Sequence, residues 1–536
     1  MTTTSCDYLV VGAGASGCVV ASRLAEQAGC EVILLEAGGS DRSPFLRLPG
    51  LGFAAGAISD LNWNFLTEPI PALGDRRMTF LAGKVLGGSS SINGMIYTRG
   101  HSSEYDRWAD MGCTGWTFDE LRPYFLRSEA NDRGAGPWHG GEGPMRLRRA
   151  NPGLPICDAF LEAAAAAGLP IVDDLNANHR EGLGWYDVNI DRGLRMSAAR
   201  AFVHPARNRR TLNVVMGAEV TEIVFSSDRA TGVKAIAGGA LREFHARREV
   251  ILSAGAIKTP QLLMISGIGP ARALEGQGIR VRFDSSGVGQ NLQNHPCYRP
   301  HYLCTGNITA RKHVSPLQAS RAAISYAWSR SGPLAESFAS AGGFFKSDPA
   351  LDLADMQVVF LSAMPPRGAK RLRDLLPKEH GFGMTIYQGT PYSRGQVRLR
   401  SPKATDPPVI EAGYFSDSRD LKVLAAGVER MRDVIRQPEI ARHIRSAVTP
   451  HDRIRSQEAL IEDIRREAAT SYHSCGTCAM GSDSDAVVDP ELRVRGVRGL
   501  RVADASIIPR LPNAALHAVT LMIGEKAASM IGSQAA

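Results

Sequence analysis

At 536 residues with a formal charge of +8, the chain has room for two to four domains, or for one large domain carrying a grafted lobe. The excess charge is scattered arginine, without a lysine-rich tail or basic–aromatic interleaving, which argues against a nucleic-acid partner. No polar-free run reaches membrane-spanning length, so no membrane insertion is expected. The nine cysteines are odd in number and lack framework spacing, which suits reduced thiols. MTTTSCD leads directly into a strand with no leader pattern, and a cytoplasmic location is expected.

The stretch from 7 to 38, DYLVVGAGASGCVVASRLAEQAGCEVILLEAG, reads as strand, turn, helix and strand. Tyr8 to Val11 is an apolar run, Ala15 to Ala28 has helical periodicity, and Glu31 to Leu35 leads to Glu36 at the next strand end. Gly12, Gly14 and Gly17 form G-x-G-x-x-G in the setting that a dinucleotide requires. Gly12 permits the turn, Gly14 leaves space for a pyrophosphate, and Gly17 lets the helix close on the strand. The helix N-terminus presents free N–H groups to phosphate, and Glu36 can accept both hydroxyls of a ribose. This unit alone allows either FAD or NAD.

Residues 39–82 look irregular. LAGKVLGGSSSINGMIYTRG, 81–100, then concentrates glycine and serine among apolar neighbours, which predicts buried backbone lying close to a flat or charged group with hydroxyl donors in supply. Residues 103–129 and 155–168 read as helices, and 197–207 as the start of another. The stretches 211–225 and 231–237 read as strands, and 248–269 as a strand that turns helical at Thr259–Pro260. VILSAGA within it repeats the style of the first strand. From about 297 to 470 the pattern mixes strands such as 356–360 and 395–400 with helices such as 417–436 and 456–468, predicting an inserted lobe on an antiparallel sheet. Residues 484–536 return to the earlier style, ending in a helix from Val519 to Met530.

Three separated segments resemble the glucose–methanol–choline (GMC) oxidoreductases: GKVLGGSSSIN at 83–93, continuing to Tyr97, Gly100 and Asp106; GAIKTPQLLMISGIG at 255–269; and SYHSCGTCAMG at 471–481 with GLRVADASIIPRLPNAALHAVTLMIGEKAA at 499–528. The resemblance implies an α/β (α+β overall) fold with a Rossmann-like FAD-binding domain and a substrate-binding lobe. The FAD domain would comprise 1–155, 211–296 and 471–536, with connecting helices over 156–210 and the substrate domain over 297–470. By the same resemblance Gly12, Gly14, Ala15, Gly17 and Glu36 would hold the ADP half of FAD. Gly87, Ser90, Asn93, Gly94, Met95 and Ile96 would pass beside the flavin and pyrophosphate. Val220 would meet the adenine half through its backbone, Asp504 and Ala505 the pyrophosphate and ribityl chain, and His517 and Ala518 would complete the cofactor site. Some relatives attach flavin to a histidine at the position of Ile92, so FAD is expected to be noncovalent here. The segment GVGQNLQNHP, 287–296, resembles a family stretch that more often has aspartate where this chain has Asn294.

Oxidising an alcohol by hydride removal needs a group to take the hydroxyl proton, and neutral histidine suits this at physiological pH. The resemblance makes His473 the base and His517 the group that hydrogen-bonds the substrate oxygen. The expected reaction converts a primary alcohol to an aldehyde, with oxygen or a diffusible acceptor taking the electrons. A lyase of the same fold and oxidation of a sugar or polyol are the alternatives. Phe338, Phe344, Phe345, Phe360, Phe382 and Tyr387 would favour an aromatic or medium aliphatic alcohol if they line the pocket rather than a core. Cys475 and Cys478 have redox-pair spacing, but their place beside the base argues against that use. His101, His139, His179, His204, His295 and His380 read as structural or surface residues, and the sequence shows no close metal-ligand cluster.

Overall fold

A computed structural model describes every residue except 1–2, 53–55, 57, 180, 314–315, 365–377, 449–452 and 534–536. Thr3–Val11 is a strand, Ala15–Leu24 a helix, and Val32–Glu36 a strand parallel to the first, with Tyr8 beside Val32 and Val11 beside Leu35. The helix stops short of Ala28 because the chain turns back there, with Gly29 at φ +74°. Leu212–Met216 lies parallel on the outer side of Val32–Glu36. Ala240–Leu252 lies parallel to the first strand, and Leu500–Val502 parallel to the last three residues of that long strand. Ala218–Ser226 and Arg229–Ala237 extend the sheet antiparallel, giving seven strands. The parallel strands all end on one side, which brings Gly12, Glu36, Ser253 and Asp504 to one edge, where α/β sheets bind ligands.

Several elements depart from the sequence pattern for local reasons. The run 211–225 is two strands broken at Gly217, φ +65°. The helix expected over 103–129 is two, Ser102–Asp110 and Phe118–Ser128, because Gly112 and Gly115 take φ of +89° and +83° between them. A capping box between Thr117 and Glu120 starts the second. The helix after Ala240–Leu252 begins at Gly255, not at Thr259–Pro260. Pro260 sits inside it and cannot donate to the carbonyl of Ala256; the Thr477 hydroxyl donates to that carbonyl instead, at 2.6 Å.

Leu516–Ser533 packs on Ala15–Leu24, and Gly524 permits the contact: a Cβ there would lie 2.8 Å from both the Ser16 carbonyl oxygen and Val19 Cβ. Among the described residues no helix is long and apolar enough to cross a membrane.

The lobe is an eight-stranded sheet in the order Ile444–Ala447, His301–Cys304, Gly381–Gln388, Met356–Leu361, Ala339–Phe345 and Gly182–Trp185, with Pro296–Tyr298 and Ala469–Thr470 attached off this path. Its core lies under helices Pro155–Ala166 and Ser418–Ile435, where Phe160 stacks on Phe360 at 4.4 Å and Phe360 on Phe382 at 5.2 Å. The stretch 156–210, expected only to connect, therefore supplies a helix and an edge strand to the lobe. GLGW, 182–185, carries no strand-like alternation. Its glycines admit Val172, which a Cβ on Gly182 would meet at 2.7 Å.

A buried ion network joins Arg99, near the end of the 81–100 segment, to Glu129, His139 and Asp174. Arg99 pairs with Glu129 at 2.6 Å, both side chains 1 % exposed or less. His139 bridges Glu129 at 3.1 Å and Asp174 at 2.8 Å, and these carboxylates outweigh burial and raise its pKa to about 9. Replacing Glu129 with glutamine leaves two buried cations short of a counter-charge, and a loss of about 3–5 kcal/mol, read as a lower urea midpoint, is expected.

Candidate active site

Three backbone segments meet without side chains between them. A Cβ on Gly12, which has φ +98°, would lie 2.5 Å from the Ser253 carbonyl oxygen, and one on Gly17 would lie 2.0 Å from the Gly12 carbonyl oxygen. Gly87 N–H donates to the Ala13 carbonyl at 2.8 Å, and a Cβ on Gly88 would sit 2.8 Å from Gly14 Cα. The two glycine motifs are thus seated on each other. Gly14 differs, since a Cβ there meets nothing closer than the Ser253 oxygen at 3.7 Å. The fold does not need that glycine, whereas a pyrophosphate against the helix N-terminus does. Glu36 accepts from Ala13 N–H at 2.9 Å and Gly38 N–H at 2.7 Å, one bond to each oxygen, which leaves acceptor capacity for ribose hydroxyls. Burial pushes its pKa up to about 7. These features fit the ADP half of FAD.

The serines of the 81–100 segment behave differently from expectation. Ser90 donates to the Gly87 carbonyl at 2.6 Å and accepts from Ala198 N–H at 2.9 Å; Ser91 donates to the Leu86 carbonyl, and Ser89 accepts from Gly83 N–H. Their hydroxyls shape the segment itself, so a ligand meets its backbone. Asn93 is similarly engaged, its Oδ1 accepting from Met95 N–H and from the Arg195 guanidinium. Met95 is buried with φ +66° and Ile96 starts a short strand; Gly94, just before them, has open space where a Cβ would stand. The Asp504 carboxylate accepts from Gly255 N–H, the Thr259 hydroxyl and Ser506 N–H, so it organises the adjoining helix start. Val220 lies in the Ala218–Ser226 strand, next to a register shift between Val220 and Glu222.

The segment holding His473 runs between two others: Cys475 pairs with Gln293 on one side, while Gly476 and Cys478 donate to the carbonyls of Ala505 and Ser506 on the other. Tyr472, φ +63°, turns the chain just before His473. His473 Nδ1 lies 2.9 Å from His295 Nδ1, and His295 Nε2 lies 2.7 Å from the Gly389 carbonyl oxygen. Gly389 also abuts the loop before His517, since a Cβ on it would fall 2.1 Å from Asn513 Cγ. His517 occupies the first turn of Leu516–Ser533, edge-on to Tyr97, and its buried Nε2 has no hydrogen-bond partner among the described residues. Ala518 beside it is fully buried. Burial pushes both imidazoles down to about 4, so both are neutral at physiological pH; Arg195 adds to the effect on His517. A buried, unpartnered nitrogen costs stability unless a ligand engages it.

Two residues given no role in the sequence belong to this site: His295, read there as structural or surface, which touches His473, and Asn294, whose Oδ1 accepts from the backbone N–H groups of both His295 and His473. The only signal available was the family-like stretch 287–296 that contains them. Of the aromatic residues considered for the pocket, Phe345, Phe360 and Phe382 are fully buried in cores, whereas Tyr387 stacks on His295 at 4.8 Å and meets His473 edge-on at 5.9 Å. Cys475 and Cys478 are buried free thiols with pKa pushed up by burial, the opposite of a redox pair. His139, Asp174 and Asp187 do come together, with one potential ligand atom from each within 4.8 Å of the others. Both ring nitrogens of His139 already pair with carboxylates, Nδ1 with Glu129 and Nε2 with Asp174, so the group is an ion-pair network.

The sequence patterns of the GMC oxidoreductases match residues 6–297 and 391–524. The chain is a GMC oxidoreductase. It is 37% identical over 527 residues to an oxygen-dependent choline dehydrogenase of Rhizobium etli, covering 98% of this chain and 95% of that protein. It is 38% identical to the mitochondrial choline dehydrogenase of Homo sapiens, covering 99% and 90%. Among solved structures, pyridoxine 4-oxidase from Mesorbium loti superposes with a TM-score of 0.88 at 28% identity, covering 98% and 99% of the two chains. A formate oxidase from Aspergillus oryzae gives 0.92 at 27% identity, covering 99% and 98%. This GMC oxidoreductase is accordingly an FAD-dependent oxidase or dehydrogenase with a Rossmann-like domain and a substrate lobe.

The glycines separate fold from ligand. Gly14→Ala is expected to preserve the circular dichroism spectrum while lowering bound FAD per chain, whereas Gly17→Ala, with backbone 2.0 Å from the new carbon, is expected to lose both.

Proposed function

We propose that this GMC oxidoreductase converts a primary alcohol to an aldehyde, with His473 taking the hydroxyl proton and His517 holding the hydroxyl oxygen. The observation that carries this reading is the pair of neutral imidazoles, His473 half-buried and His517 buried with an unpartnered Nε2, on the two segments that border the Gly389 junction. FAD, when bound, supplies the acceptor for the hydride that leaves the carbinol carbon. Gly12, Gly14, Gly17 and Glu36 would hold its ADP half, and the backbone of Gly87–Met95 and of Asp504–Ala505 the rest. Ile92 offers a hydrocarbon side chain packed beside Leu46 and Val85 and no nucleophile, which supports noncovalent attachment.

His473 withdraws the proton as the carbon loses hydride, so positive charge does not accumulate on that carbon. A well-placed base of this kind contributes ~10²–10⁴ in rate. His517 orients the oxygen. Oxygen or a diffusible acceptor returns the enzyme to its oxidised form. The relatives named choline dehydrogenases place choline in the panel of alcohols to be tried, beside aromatic, aliphatic and polyol substrates.

The test is anaerobic mixing of the yellow holoenzyme with each alcohol. His473→Ala is expected to keep FAD and to slow flavin reduction by ~10²–10⁴ for any alcohol the wild type oxidises; wild-type reduction by this variant would remove His473 from the role. A lyase would turn over substrate without bleaching the flavin. The reduction rate is also expected to hold steady across neutral pH and to fall as the pH drops toward about 4, where the imidazoles take up protons.

A further inference from the structure

We propose that His295 is a positioning residue that sets the proton order of His473, leaving His473 Nε2 as the bare nitrogen that receives the substrate proton. This rests on the reading of His473 as the base.

The two Nδ1 atoms, 2.9 Å apart, share one proton, and their separation alone does not say which ring owns it. The far side of His295 decides. Its Nε2 lies 2.7 Å from the Gly389 carbonyl oxygen, and a carbonyl can only accept, so His295 Nε2 carries hydrogen. The buried His295 is neutral and has only one N–H, which leaves its Nδ1 as an acceptor. The proton between the rings therefore belongs to His473 Nδ1. Neutral His473 then has its lone pair on Nε2. When Nε2 takes the hydroxyl proton, the imidazolium keeps its Nδ1–H bond to His295 and no other group has to move.

The frame that enforces this order is rigid. Asn294 Oδ1 accepts from His295 N–H at 2.8 Å and His473 N–H at 2.7 Å, while its Nδ2 donates to the hydroxyls of Thr470 and Ser474, each at 3.2 Å. Tyr387 stacks on the His295 ring, and its own hydroxyl donates to Gln357. Gly389 is fixed by its N–H bond to the Asp355 carbonyl at 2.7 Å and by Asn513 against its Cα, so the carbonyl that starts the chain of bonds cannot swing away.

Asparagine at 295 places an amide oxygen near the position of Nδ1, glutamine places it one bond farther out, and alanine supplies none. Holoenzymes carrying His295→Asn, His295→Gln and His295→Ala are compared with wild type and His473→Ala by anaerobic stopped-flow reduction. A titration with the best alcohol separates limiting rate from substrate dissociation constant. The expected result is FAD retained, substrate affinity within about twofold, and a limiting rate lowered at least ~10-fold in the alanine and glutamine variants, with most of it restored by asparagine. Wild-type rates in His295→Ala, or equal slowing in all three variants with weaker substrate binding, would overturn the assignment. Loss of FAD by all three would likewise reduce His295 to a structural part. If alanine alone loses FAD, the asparagine–glutamine difference decides. Unimpaired reduction by His473→Ala would instead remove the base on which the positioning depends, a failure recognisable by itself.

Discussion

The structure depends on backbone lying against backbone at the ends of three parallel strands. Gly12 touches Ser253, Gly17 touches Gly12, and Gly88 touches Gly14, each at a distance that excludes a side chain. Such contacts are possible because the strands behind them are fixed by burial: Leu9, Val10, Leu34, Val250, Ile251 and Leu252 are closed off from solvent on both faces of the sheet. Once those strands are set, their termini have little freedom, and the N–H groups at the start of Ala15–Leu24 and the Glu36 carboxylate follow in fixed relation.

The proposed chemistry lies elsewhere, where the Rossmann-like domain meets the lobe. There the controlling effect is desolvation. His295, His473 and His517 are all held neutral by burial, and the bonds among them and to Gly389 give the first two rings a direction that neither would have in water. Residues 293–295 serve both partners, with Gln293 bridging to Cys475 and to the loop at Pro509–Leu511, and Asn294 clamping the backbone on either side of the ring pair. This short segment registers the lobe against the stretch that carries His473.

What the sequence could show followed from how local each feature was. Gly12, Gly14, Gly17 and Glu36 carry their meaning within thirty residues, and the order of strand, turn and helix states it. His473 and His517 stand out only through motifs shared with a family. His295 did not, because its significance lies in Nδ1 of a residue far along the chain and in the carbonyl of Gly389, and neither contact leaves a periodicity. The edge strand at 182–185 was hidden for a related reason: Gly182 and Gly184 were selected by the nearness of Val172, not by strand propensity. Pro260 likewise suggested a later helix start, since nothing nearby announces that Thr477 supplies the missing donor. The serine hydroxyls misled in the opposite direction, being turned into the segment they belong to.

The contact at Gly524 bears on how the enzyme is made. Leu500–Val502 completes the sheet beside Ala240–Leu252, and Leu516–Ser533 lies across Ala15–Leu24, so a unit begun by the strand and helix at 3–24 is finished only by residues some five hundred positions later. During translation the apolar helix Ala15–Leu24 must wait, uncovered on one side, until the ribosome has released residues beyond 516. Closing so long a loop is entropically slow, and an intermediate with exposed hydrophobic surface is the kind that chaperones bind.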